Sequence, residues 1–381
     1  MHILKNKLHQ ELKSNLSFWQ HKVVNSKTNH IFSEVSTYGI PNTKTPTGVM
    51  FLSRILYGAS TACNVLKTNE YKSLADTSYN KLKQFANPKG GYYWSRDVSN
   101  TLIHDADNTN MAQAFVLYGL VAYAELKPTL ELDELIEKQF NFLTNTLYDV
   151  KNGGYIDGFD ENWSLGENPT KSLGTHLHLL EAFVKLYLYK RNNKIVPLIE
   201  ELVIIITRKF ITNHSYDCLH RFTPDWKVLP NEVWAGHNAE CSWILCSAAT
   251  AIQNEDLIAQ CNKLAIKMMT QVLNKAWDSK NGGLFNVLEN NLPTEELKVW
   301  WPQAEAVIAL LNCYCITKEK EYKTKADVLI NYISKHFIAP NGEWYTQIKN
   351  SKKPDTSIPI VHFWKSLYHT VRYYAEVSER L

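Results

Sequence analysis

This chain contains no block of like charge, no Pro/Gly/Ser-rich linker, no Cys-x-x-Cys pair and no apolar run that reads as a membrane span. Each absence removes a class of answer. The 41 basic and 38 acidic residues nearly cancel, to a formal charge of +3, so a basic patch for nucleic acid is not expected. A membrane span would need about twenty consecutive apolar residues, and the opening stretch Met1-His-Ile-Leu-Lys-Asn-Lys-Leu-His-Gln-Glu11 lacks the apolar centre of a secretory signal. The seven cysteines are odd in number and several sit at helical core spacing, which points to reduced thiols and the cytoplasm rather than to a disulfide framework. With no linker to divide it, the chain reads as one domain over residues 1–381.

Strand-like alternation is also scarce. Apolar residues recur at three and four, as in Phe51-Leu52-Ile55-Leu56 and Leu257-Ile258-Cys261-Leu264-Ala265-Met268, the period of amphipathic helices. Six times, at intervals of roughly sixty residues, such a stretch runs into a short glycine or asparagine loop ending in an aromatic residue. The instances are Asn29-His-Ile-Phe32, Lys89-Gly-Gly-Tyr-Tyr-Trp94, Asn152-Gly-Gly-Tyr155, Asn213-His-Ser-Tyr216, Asn281-Gly-Gly-Leu-Phe285 and Asn341-Gly-Glu-Trp-Tyr345. Each unit has room for two helices and their loops. An open solenoid needs polar capping units, whereas this chain finishes on the aromatic-rich His362-Phe-Trp-Lys-Ser-Leu-Tyr-His369. The expected fold is therefore all-α and closed: an (α/α)6 barrel of six helical hairpins, with short β-like loop segments around a funnel at one end.

Aromatic residues reach 12%, including 11 Trp and 20 Tyr. Most belong in a core, but flat rings at loop ends also suit the C–H faces of carbohydrate. Chemistry is sought where one unit carries residues that its siblings lack. In Lys171-Ser-Leu-Gly-Thr-His-Leu-His-Leu-Leu-Glu-Ala-Phe183, His176 and His178 lie two apart and so point to nearly opposite sides of a helix. His178 shares a face with Glu181 and is the preferred funnel residue; His176 is kept as a substrate-contact candidate. In Val233-Trp-Ala-Gly-His-Asn-Ala-Glu-Cys-Ser-Trp243, His237 and Glu240 can touch at i,i+3, and a carboxylate beside an imidazole selects its tautomer and raises its basicity. The last unit carries Trp364, Tyr368 and His369, and Trp301 with Glu305 sets a flat face beside a carboxylate. Arg54, a lone cation in an apolar helix, must point into a polar funnel or meet a carboxylate.

Two chemistries could use three funnel histidines. His178, His237, His369 and Glu240 could bind zinc, although no close ligand spacing supports it. Alternatively, two imidazoles on opposite sides of a substrate could move a proton off a carbon next to a carbonyl while a cation stabilises the enediolate.

At these residues the sequence resembles the N-acylglucosamine 2-epimerase superfamily, and within it the cellobiose and mannose 2-epimerases. The resemblance spans essentially the whole chain. It is carried by Gly90-Gly-Tyr-Tyr-Trp-Ser95, Ala112-Gln-Ala-Phe115, Thr175-His-Leu-His178, Gly236-His237 with Glu240 and Trp243, Trp300-Trp-Pro-Gln-Ala-Glu-Ala306, and Phe363-Trp-Lys with Tyr368-His369. It implies an (α/α)6 barrel that inverts C2 of a reducing aldose through a cis-enediolate, without a metal or organic cofactor. By the same resemblance His237 and His369 are general base and acid, His178 assists ring opening, Arg54 binds the enediolate oxygens and Glu240 holds His237. It also has Trp301, Glu305, Trp243 and Trp364 position the sugar; Tyr368 is a further substrate-contact candidate, and a monomer or homodimer is expected.

Departures from the cellobiose pattern shift the expected substrate. Gly174 stands where an Asn is usual, Met111 where a Tyr is usual, Gly236-His-Asn-Ala-Glu240 replaces Gly-His-Asp-Ile-Glu, and Trp364-Lys-Ser-Leu-Tyr-His369 replaces Trp-Lys-Cys-Pro-Tyr-His. These favour the pair mannose and glucose, with cellobiose-type disaccharides still open. Three alternatives stand beside this reading. One is an aldose–ketose isomerase of the mannose-to-fructose type. Another is a glycoside hydrolase using carboxylates such as Asp97, Asp105, Asp107, Asp157 or Asp160, and the third is a non-catalytic binding scaffold.

Overall fold

The computed structural model describes residues 2–105, 109–230, 232–289, 292–294, 297–349 and 352–381. Twelve α-helices occur among the described residues. Six form an outer ring: α1 (His2–Phe18), α3 (Lys72–Leu82), α5 (Leu130–Thr146), α7 (Val196–Ile205), α9 (Glu255–Lys275) and α11 (Lys320–His336). The other six alternate with them in sequence and form the inner ring: α2 (Val49–Leu66), α4 (Thr109–Leu126), α6 (Leu173–Lys190), α8 (Ala235–Ala251), α10 (Trp300–Thr317) and α12 (Leu367–Arg380). Each inner helix packs on the next, α2 on α4, α4 on α6, α6 on α8, α8 on α10 and α10 on α12, and α12 packs back on α2. The fold is an (α/α)6 barrel.

The ring to which a helix belongs follows from its sequence. In α4, 14 of 18 residues are buried, so apolar side chains occur all round the helix. In α5 only 5 of 17 are, at one-sided spacing, and the rest is polar. Two outer helices carry side-chain caps at their starts: Thr129 caps α5 by accepting from the Leu132 N–H, Asn254 caps α9 by accepting from Leu257, and acidic residues follow each cap. The first and last inner helices close the ring at Gly58, where a Cβ would stand 2.5 Å from Cβ of Leu367, a contact that any side chain would push apart. By length and composition Val49–Leu66 is apolar enough to cross a membrane, contrary to the sequence expectation, but 78% of it is buried in the barrel. Two inner-facing surfaces must be covered in a double ring, and that alone demands such a helix.

The six loops running from outer to inner helices hold the aromatic beat. In five of them one residue bridges back to the end of the preceding outer segment: Tyr92 to Ala86, Tyr155 to Tyr148, Cys218 to Ile211, Leu284 to Trp277 and Trp344 to Ile338. Short antiparallel strands fill the rest, the longest being Leu165–Ser172, which pairs with Asp157–Phe159 and with Arg221–Phe222. Near the start of four inner helices a polar side chain bonds the backbone of the bridging residue. Gln113 bonds Tyr92, His176 bonds Tyr155, Asn238 bonds Cys218 and Gln303 bonds Leu284, at 2.8–3.0 Å. Three loops are further tied by a buried lysine two residues before the inner helix: Lys171 to Asp149 at 2.9 Å, Lys298 to Asp278 at 2.7 Å and Lys365 to Glu343 at 2.7 Å. Buried ion pairs of this kind add positional specificity more than stability. Here they hold the loops against the starts of α6, α10 and α12.

Candidate active site

All loops of this kind lead into the N-terminal ends of inner helices, so residues in the first two turns of those helices surround the funnel. Counted from its first residue, the sixth position is Arg54 in α2, His178 in α6, Glu240 in α8, Glu305 in α10 and Arg372 in α12. In α4, Phe115 fills the gap, its ring 4.3 Å from that of His178 and 4.1 Å from the Arg54 guanidinium carbon. The third position is His237 in α8 and His369 in α12. These two helices flank α10, whose Trp301 packs against both imidazoles, at 4.9 Å and 5.4 Å between centroids. Gly236 makes this possible, because a Cβ there would lie 2.4 Å from the Trp301 ring.

Every histidine at the site has its Nδ1 engaged. In His178, Nδ1 is 2.8 Å from Glu181 Oε2, and in His369 it is 2.8 Å from Glu305 Oε1. In His237 it is 2.9 Å from His220 Nε2, and the Trp234 ring stacks on His237 at 5.2 Å with planes 6° apart. Burial pushes both His237 and His369 well below the usual imidazole value. For His237 the neighbouring imidazoles His220, His178 and His369 lower it further; for His369 the Glu240 carboxylate pulls upward against Arg372 and Arg54. Both rings therefore rest neutral, with Nε2 as the nitrogen available for proton transfer.

Arg372 is the hub beneath them. It is fully buried and donates to Glu181 at 2.5 Å, to Glu305 at 2.6 Å, and also to Glu240 and to the Tyr368 hydroxyl. Burial would depress its guanidinium, but Glu305, Tyr368, Glu181 and Glu240 together hold it well above its usual value. Glu181 responds in kind. Burial raises its carboxyl, yet Arg372 and the hydrogen bonds from His178 and Tyr368 bring it down to about 2. Glu305 is left raised by burial in spite of Arg372 and Trp243, as expected when three carboxylates share one guanidinium. Among the described residues, Arg54 makes no ion pair with a carboxylate. Its Nη1 donates to the Trp364 carbonyl at 3.1 Å, its Nε is buried without a hydrogen-bond partner, and burial lowers its pKa to about 10.

Several site residues read from the sequence take other places. His176 is a core residue, 0% exposed, accepting from the Tyr155 N–H at 3.0 Å and bonding the Ser172 carbonyl at 2.7 Å, and burial lowers it to about 3. It occupies the loop-bonding role that glutamine fills in α4 and α10. Trp243 is buried with its indole N–H donated to Glu305 at 3.0 Å, and Tyr368 is buried with its hydroxyl donated to Glu181 at 2.6 Å. Both act through the carboxylates. Glu305 holds His369, and Glu240 pairs with Arg372, so neither has the partner expected of it: a sugar hydroxyl for Glu305, His237 for Glu240. Trp364 stands at the mouth, 44% exposed and 5.5 Å from Trp94. His220 and Arg372 join the site without an expectation from the sequence. Arg372 lies one turn after His369 in the last motif, whereas His220 carries no local signal.

Among the described residues, two sets of side chains could close on a cation, His178–Glu181–Glu240 and Glu240–Glu305–His369. The carboxylates of both already bind Arg372, so a metal would have to displace a guanidinium. Of the carboxylates considered for hydrolysis, Asp157 is buried and accepts from Ser172 and Thr175, and burial raises it to about 6. Asp97 and Asp160 organise exposed turns, and Asp107 lies outside the described residues. A surface cleft of about 630 Å3 between Trp277–Gly282 and α11 holds none of the site residues.

The sequence profile of the N-acylglucosamine 2-epimerase (GlcNAc 2-epimerase) family matches residues 31–372. A cellobiose 2-epimerase of Dictyoglomus turgidum is 29% identical over 397 aligned positions, covering 100% of this chain and 99% of the relative. Among solved structures, cellobiose 2-epimerase from Bacillus thermoamylovorans superposes with a TM-score of 0.89 at 22% identity, covering 100% of both chains. A D-mannose isomerase superposes equally well, 0.89 at 20% identity over 99% of this chain and 98% of the other. At those identities the two structures speak for the fold.

Proposed function

This chain belongs to the N-acylglucosamine 2-epimerase family, and we propose that it is a carbohydrate epimerase that inverts C2 of a reducing aldose, with mannose and glucose as its preferred pair. The observation that carries the reading is the placement of His237 and His369 at matching positions of α8 and α12, on either side of Trp301, each with Nδ1 held and Nε2 available. Two such nitrogens can serve opposite faces of one carbon. After ring opening, assisted by His178, one imidazole takes the C2 proton and leaves a cis-enediolate. Rotation about C2–C3 presents the other face; the second imidazole takes a proton from solvent water at Nε2 and delivers it to C2 there, while the first passes the abstracted proton to solvent, so both rings return to neutral. Arg54, with an unpartnered Nε, is the cation placed for the enediolate oxygens. Trp301 and Trp364 offer ring faces to the sugar.

The preference for a monosaccharide is supported by the pair Gly174 and Met111. A Cβ on Gly174 would lie 3.0 Å from the Met111 sulfur, so a thioether beside a bare glycine stands where the cellobiose pattern has Tyr and Asn. All seven cysteines are free thiols, six of them buried, which suits a reducing cytoplasm. A hydrolase reading has no support from the central carboxylates, since all three are bound to Arg372.

Incubation with mannose in deuterated water, followed by NMR, tests the proposal. Glucose carrying deuterium at C2 is the expected product, and fructose would identify an isomerase instead. His237→Gln and His369→Gln should each lower turnover by roughly 10²- to 10⁴-fold without loss of fold. A variant that keeps most of its activity would remove that histidine from the mechanism.

A further inference from the structure

Resting on the epimerase reading, we infer that His220 is a positioning residue that locks His237 in the tautomer with its proton on Nδ1 and its lone pair on Nε2, ready for the sugar proton. The chain of hydrogen bonds fixes the direction. His220 Nε2 meets His237 Nδ1 at 2.9 Å. His220 also makes a backbone hydrogen bond to Glu232 that favours the protonated ring, hence one donated to the carbonyl, and with Nε2 taken by His237 it falls to Nδ1. A neutral imidazole with its proton on Nδ1 has a bare Nε2, which can only accept. His237 must then supply the proton from its own Nδ1. Burial lowers His220 to about 4, against the opposing pull of Glu232, so it stays neutral where the enzyme would work.

His220 is itself held in place from several sides. It stands one residue before the Arg221–Phe222 strand, which pairs with the end of Leu165–Ser172. Its carbonyl accepts from the N–H of Leu173, the first residue of the helix that carries His178. Trp234 packs edge-on against its ring at 5.6 Å while stacking on His237. The titratable groups around His237 are His220, with Glu232 behind it, His178 from α6 and His369 from α12; Glu240, one turn along its own helix, is bound to Arg372. Among the described residues no carboxylate therefore backs His237, whereas Glu305 backs His369. The two acid–base groups are unequal: His237 is held as the base, and protonated His369 is stabilised by its carboxylate.

Nitrogen-15 NMR of the imidazoles in the full chain, with His237 assigned from its own variant, reads the tautomer directly. Wild-type protein at pH 8 should show His237 protonated on Nδ1. His220→Gln retains an acceptor and should keep both that tautomer and most of the activity. His220→Phe offers no acceptor and excludes water, so His237 should revert to the Nε2–H form, with kcat lower by roughly 10²-fold at nearly unchanged KM. The acid limb of its residual activity should also move to lower pH, because neutral His220 accepts from the Nδ1–H of protonated His237 and phenylalanine offers no acceptor. Wild-type His237 protonated on Nε2, or a His220→Phe variant with wild-type kcat and pH profile, overturns the assignment. Absence of turnover by wild-type protein on mannose, glucose and cellobiose would refute the epimerase reading alone, since the tautomer is read without turnover.

Discussion

Replacing Arg372 with methionine removes the cation bound to Glu181, Glu240 and Glu305, carboxylates that are each no more than 8% exposed. Glu181 would retain His178 and Tyr368, and Glu305 would retain His369 and Trp243, but Glu240 would lose the guanidinium it faces. Removing one partner of a buried ion pair costs about 3–5 kcal/mol, because the charge left behind is uncompensated. A loss of that size is expected in denaturant unfolding at pH 8. It should shrink at lower pH. In the wild type the Glu181 carboxyl sits at about 2, against a usual 4.5, so its contribution is present above pH 4.5 and disappears as pH falls towards 2. The variant lacks the anchor that depresses this carboxyl, takes up its protons at higher pH, and gives up less on acidification. The difference between the two proteins should therefore narrow as pH falls from about 4.5 towards 2, and adding Glu240→Gln to the variant should recover part of the loss. A loss below about 1 kcal/mol at pH 8, within the range of exposed pairs, would show that Arg372 is not the hub. So would a difference that does not change with pH.

Three further outcomes follow from the same geometry. His176→Gln should leave kcat within about threefold of wild type and stability within about 1 kcal/mol, because glutamine already makes this loop contact in α4 and α10; a hundredfold fall in kcat would return His176 to the site. The acid limb of kcat/KM should have its midpoint below pH 6.5, since burial holds both His237 and His369 under that value, and a midpoint above 6.5 in a pH-rate profile would contradict the neutral resting state. Chelation with EDTA should leave the rate unchanged, because Arg372 already occupies the carboxylates that could bind a cation; a loss of rate restored by added zinc or manganese would refute this.

The barrel was legible because the same physical demand recurs in every unit. An inner helix must be apolar all round, an outer helix on one side, and the loop between them must turn back within a few residues, so the aromatic beat marks the bridging residues Tyr92, Tyr155, Leu284 and Trp344 or their neighbours. The lysine ties were not legible. Lys171 and Asp149, or Lys298 and Asp278, are some twenty residues apart in the chain, and nothing local distinguishes a buried lysine from the exposed ones.

Inside the site, what helical spacing could convey was separation of faces: His176 and His178 diverge, one to the loop backbone and one to Glu181. Partner identity lay beyond its reach. Glu240 is near enough to His237 along the helix for i,i+3 contact, and that local option was the natural choice. The closed ring offers Glu240 a stronger one, because Arg372 arrives from α12 with a charge to neutralise, while the loop before Arg221–Phe222 brings His220 to the vacated Nδ1 of His237. Charge pairing across the barrel thus outcompetes pairing along a helix, and a neutral imidazole is what remains to orient the base. The unequal backing of His237 and His369 is a consequence of ring closure, which no single repeat contains.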